Sequence, residues 1–156
     1  MPRSSSSTRL HPPFLHFPIA FWVTGTALDV AQTTLGLSLP GIEGFALPHW
    51  LLWGGVIAAL PTVAAGLADF ASLPRAVQDS RALKRHMLCM STAFTLFLVA
   101  AVWRVKAGAF AAPPPLMLLS LEILGVVALL VGGHAGGRVV FEELPATHGG
   151  GAAPEA

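Results

Sequence analysis

The stretch His11-Pro12-Pro13-Phe14-Leu15-His16-Phe17-Pro18 opens an apolar segment that runs from about Phe14 to Leu37, and its reading decides the fold. Two histidines and three prolines stand at the threshold of a run long enough to cross a bilayer, which takes about 20 residues. An imidazole there is expensive to hold in lipid and easy to hold as a ligand or a hydrogen-bonded group. Pro18 is tolerable because the first helical turn needs no donor at that position. Gly25 and Asp29 interrupt the segment without ending it. The segment is too long for a cleaved signal peptide, and no small-x-small site follows it.

Three further apolar segments follow. The second runs from about His49 to Asp69, with Trp50 and Trp53 as an interface belt and Pro61 as a mid-span kink. Gly55, Ala59, Ala64, Ala65 and Ala68 give it a small-residue face for close helix contact. The third starts at Pro74, is charged from Arg75 to Arg85, apolar from Met87 to Trp103, and closes with Arg104 and Lys106. The fourth runs from about Pro115 to Gly133 and carries Glu122, with Gly132, Gly133, Gly136 and Gly137 loosening its end. The expected fold is all-α: an up-and-down four-helix transmembrane bundle over residues 11–141. Residues 1–10 are expected to be a disordered N-terminal segment, and residues 142–156, Gly/Ala-rich from Pro145 on, a disordered tail.

Composition agrees. Hydrophobic residues make up 54% of the 156 and charged residues 11%, with mean hydropathy +0.68. Soluble domains carry about 25% charged residues, so this chain lacks the side chains to coat itself with a water-facing surface. A net charge of +1 excludes a nucleic-acid surface. The single cysteine, Cys89, cannot form an internal disulfide. No HExxH, CxxC or CxxCH, nucleophile elbow or phosphate loop is present, which leaves hydrolytic catalysis without support. The Gly-rich stretch around His134 ends a span rather than opening a helix after a strand, so it reads as a flexible helix terminus.

Charge sets the orientation. With four spans, the N-terminus, the second loop and the tail share a side. That side holds Arg3, Arg9, Arg75, Arg81, Lys84, Arg85 and Arg138, against Arg104 and Lys106 on the other. The positive-inside rule then puts both termini in the cytoplasm, with the chain multi-pass in the inner (plasma) membrane.

This orientation sorts the ionisable residues into two layers. His11, His16, Asp69, His86 and His134 fall near the cytoplasmic face; Asp29, His49, Arg104 and Glu122 fall near the outer face. His16 and Asp29 are about 20 Å apart along their helix. In an up-and-down bundle the first and third helices are often diagonal, which lets His16 and His86 face each other as axial ligands of haem b. Alternatively, His11, His16, Asp69, His86 and His134 supply ligands for a divalent metal such as Zn²⁺. A histidine at the lipid–water boundary also often just bonds a loop carbonyl, and that plain reading suits His11, His49 and His134 best. Met87, Met90, Phe94 and Phe97 read as packing. In the outer layer, Asp29, Arg104 and Glu122 are expected to face inward and pair, as a structural clamp or, alternatively, a proton relay. Arg104 snorkelling to the surface is the remaining option.

On these residues the chain resembles the bacterial family called domain of unknown function 2231, four-span membrane proteins with a His-Pro-x-x-x-His-Phe-Pro opening. The likeness takes in His11 to Pro18, Asp29, Gly66-Leu67-Ala68-Asp69, His86 and Gly136-Gly137-Arg138-Val139-Val140, and covers about Leu10 to Phe141. After Phe141 the tail departs from the family's Gly/Val-rich ending. Some relatives are joined to cytochrome c-like modules, so the resemblance implies a redox setting. Three functions follow as expectations. The first is haem b electron transfer with a quinone or redox protein as partner, with Asp69 or His11 orienting a ligating imidazole. The second is metal-ion binding or transport. The third is a non-enzymatic accessory subunit that packs against a larger membrane complex, in a homo- or hetero-oligomer and with no cofactor.

Overall fold

The computed structural model describes residues 11–37, 41, 44–108 and 113–144, with only the backbone of 11–14. Four long helices form a bundle: α1 (His11–Leu35), α2 (Ala46–Ser72), α4 (Arg81–Lys106) and α5 (Leu116–Arg138). A single turn, α3 (Arg75–Gln78), joins α2 to α4, and α5 passes into a π-helical turn over Val139–Glu143. No strand occurs among the described residues. Three helical stretches are long and apolar enough to cross a membrane: Ala46–Ser72, Arg81–Lys106 and Leu116–Glu143. Helix α1 matches them in length and carries His16, Asp29 and Gln32.

The helix boundaries follow local chemistry. Leu73 is extended ahead of Pro74, as the ring of a following proline requires, and α2 stops there. Gln78 Nε2 donates to the carbonyls of Phe70 and Leu73 (3.2 and 2.9 Å), satisfying acceptors that the end of α2 leaves over. The third apolar segment is not one helix from Pro74, as the sequence reading has it. Ser80 breaks the run, and its Oγ accepts from Leu83 N as the N-cap of α4. Nor does the Gly-rich end of α5 stop at Gly133. The helix continues to Arg138, and the turn beyond it buries Val139 and Leu144 against Val77, Ala82 and Leu83. The described chain is thus helical to residue 144, beyond residue 141, the expected end of the membrane domain. The rest of the expected tail, and the expected N-terminal segment, lie outside the described residues.

Around the bundle the helices neighbour one another in the order α1, α2, α4, α5, with α5 closing back on α1. Helices α1 and α4 are therefore diagonal. The core is built on that diagonal: the Trp22 ring stacks on Phe97 at 4.6 Å and 6°, and Trp22 Nε1 donates to Leu52 O. Two turns further along both helices Asp29 meets Arg104, so α1 and α4 run parallel. Helix α5 runs antiparallel to α4, since Gly125 faces Phe97 while Gly136 faces His86. A Cβ on Gly55 would collide with the Trp22 indole, and one on Gly125 would lie 2.7 Å from the Phe97 ring. These two glycines let the stacked pair fill the centre. The small-residue face expected on α2 is narrower than its sequence: Gly55 and Ala59 are buried, while Ala64 and Ala68 are exposed. Large apolar side chains such as Phe17, Trp50, Ile57, Leu60, Leu124 and Leu130 point outward, as they would toward lipid.

Candidate functional site: a buried acid–base cluster

The cluster is built from residues one to two turns apart on single helix faces. On α1, Trp22, Thr26, Asp29 and Gln32 fall on the inward side, and all four are buried. Helix α2 contributes His49, α4 Arg104 and α5 Glu122. Asp29, Arg104 and Glu122 are each 0% exposed, so no part of the three reaches the surface of the bundle.

Arg104 Nη2 donates to Asp29 Oδ2 and stands 3.5 Å from Glu122 Oε1. One guanidinium nitrogen thus serves two carboxyl groups. With one proton on a carboxyl group the three side chains sum to zero charge, and with both carboxyl groups ionised a net negative charge is buried. Arg104 Nε and Nη1, Asp29 Oδ1 and both Glu122 oxygens have no hydrogen-bond partner among the described residues. Such a concentration of unsatisfied polar atoms is unusual in a protein interior. Gln32 Nε2 ties the cluster's rim to the carbonyl of Gly44 at 3.1 Å. The His49 ring packs edge-on against Trp50, at 5.3 Å.

The opposite end of the bundle carries the histidines. His86 is half-buried, and its Nδ1 lies 2.8 Å from Gly132 O. A carbonyl only accepts, so Nδ1 carries the hydrogen and Nε2 of the neutral ring carries the lone pair. Gly136 makes room for the ring, since a Cβ there would lie 2.7 Å from Nδ1. Of the glycines around His134, Gly136 therefore seats the His86 ring, while a Cβ at Gly133 or Gly137 would meet nothing within 4 Å. His16 is exposed on α1, His134 is exposed on α5, and Asp69 is half-buried near the end of α2. The side chain of His11 lies outside the described residues. Among the described residues no three His, Cys, Asp or Glu side chains come together as a metal-holding group.

Sequence reasoning left Thr26 and Gln32 unremarked and read His49 as an interfacial hydrogen-bonder. The signal for the first two was present: Thr26, Asp29 and Gln32 recur every three residues within an apolar helix, a polar stripe at helical spacing. For His49 there was none, because nothing in sequence separates a buried helix start from an interfacial one.

A family model described as a predicted membrane protein, DUF2231, matches residues 7–147. No curated protein and no solved structure matches the chain.

Proposed function

The chain belongs to the DUF2231 family of predicted membrane proteins, and from that membership we propose that it spans the plasma membrane four times, with both termini cytoplasmic, and relays a proton through Asp29, Arg104 and Glu122. The observation that carries this reading is the meeting of two carboxyl groups at one guanidinium nitrogen, all three fully buried. A clamp needs one acid for one base. A second acid, with both its oxygens unsatisfied, gives the cluster a place to take up and release a proton. Arg104 then holds whichever carboxyl is ionised, and Thr26 and Gln32 provide polar neighbours on α1.

The test is proton flux into liposomes containing purified protein, read by a trapped pH-sensitive dye, beside the infrared spectrum of the same protein. The wild type is expected to pass protons faster than empty liposomes and to show a protonated-carboxyl band. Glu122→Gln should lose both. Flux no greater than that of empty liposomes, with no such band, overturns the reading.

A second reading is favoured by His86. Its Nδ1 bond to Gly132 O is the outer hydrogen bond that fixes a ligating imidazole, and Nε2 is the nitrogen a haem b iron or a divalent metal would take. In this reading His11, His16, Asp69 and His134 would supply further ligands or orienting groups, with a quinone or redox protein as partner. An α band in the reduced-minus-oxidised spectrum, abolished by His86→Ala, is the expected result. A featureless spectrum from haem-supplied cells removes haem, and elemental analysis returning no metal removes the rest.

A further inference from the structure

A groove of about 620 Å³ opens on the outside of the bundle along the seam of α4 and α5. Its two walls are built alike. Arg81 and Arg85 stand one turn apart on α4, and His134 and Arg138 stand one turn apart on α5. Toward the middle of α5 the lining changes to Leu130 and Val131, both exposed. One end of the groove is therefore cationic and the other apolar. Glu142 occupies part of this charge, accepting from Arg138 Nε at 2.9 Å. A guanidinium has five N–H donors, so Arg138 retains others, and Arg81 and Arg85 have no carboxylate partner among the described ion pairs.

We propose that this groove binds an anionic phospholipid of the bilayer, its phosphate between Arg81, Arg85 and Arg138 and its acyl chains along Leu130 and Val131. Charge complementarity selects the occupant. Basic pockets between spanning helices, at the level of the headgroups, suit lipid phosphates. The adjoining apolar wall suits an acyl chain and has nothing to offer a free phosphate. The site is independent of the buried cluster, since it shares no residue with Asp29, Arg104 or Glu122.

Native mass spectrometry of the detergent-purified full chain tests it, with phosphatidylglycerol and phosphatidylcholine of equal chain length as probes. The wild type is expected to retain phosphatidylglycerol preferentially. Each arginine at an anionic surface is worth about fivefold in affinity, so Arg81→Gln with Arg85→Gln should weaken retention about 25-fold. Arg75→Gln, an exposed arginine outside the groove, should leave it unchanged. If the double variant does not fold, His134→Gln with Arg138→Gln removes the opposite wall and should reduce retention likewise. Equal retention of the two lipids by the wild type overturns the proposal. So does full retention by a folded groove variant, or displacement of the lipid by glycerol phosphate at equal concentration.

Discussion

Removing the Arg104 side chain leaves Asp29 and Glu122 buried with no cation. Breaking a buried pair in this way typically costs about 3–5 kcal/mol, because the remaining charge has nowhere to go. Arg104→Ala should therefore lower stability by about that much in detergent, read by thermal or denaturant unfolding. Asp29→Asn added to Arg104→Ala should recover part of the loss. Arg104→Lys should not substitute fully, since an ammonium is more strongly hydrated than a guanidinium and costs more to hold in a dry interior. At this scale the sequence was legible wherever the physics left few choices. A charge inside an apolar segment has to turn inward, which singles out Asp29, Arg104 and Glu122. The histidines were less legible, because imidazole is at home in lipid headgroups, at ligand sites and against a carbonyl alike. The structure gives His86 a carbonyl partner and leaves His16 and His134 exposed.

Glycines in the helices have opposite consequences according to what they face. A Cβ at Gly125 would press on the Phe97 ring, whereas one at Gly133 meets nothing within 4 Å. Gly125→Val should destabilise by about 1–3 kcal/mol, the usual cost of overpacking a filled core. Gly133→Ala should stabilise by up to about 1 kcal/mol, through helix propensity alone. Thermal unfolding of the two variants side by side checks both signs. Apolar runs showed where the long helices lie, because only length and hydropathy are needed for that. Their ends were harder to read. The break at Ser80 depends on a hydroxyl meeting Leu83 N, and the extension of α5 past Gly133 depends on Val139 and Leu144 finding the small core around Val77. The first is a local cap outside the apolar periodicity, and the second is a tertiary fact.

At the level of the whole molecule, the proposed four spans with cytoplasmic termini predict a pattern of accessibility. With Cys89 replaced by serine, single cysteines at Ser5, Ala76 and Ala152 should resist an impermeant thiol reagent in intact cells. Cysteines at Gly41 and Ala107 should react. Labelling of the same three positions from outside reverses the orientation, and labelling of Ser5 without Ala152 changes the number of spans. The order of the helices around the bundle could not be read from the chain, and neither could the register that brings Asp29 and Arg104 together across a separation of 75 residues. That separation bears on biogenesis. When α1 leaves the ribosome its carboxylate has no counter-charge, and the arginine that neutralises it is translated three helices later. Helix α1 is also absent from the three described stretches apolar enough to cross on their own. Its integration into the bilayer is thus expected to be completed late, by the arrival of α4, and not at the translocon's first encounter. A chain cut short after Ser72 and carrying a glycosylation tag in the α1–α2 loop should be glycosylated less efficiently in microsomes than the full chain. Arg104→Ala in the full chain should reproduce that deficit.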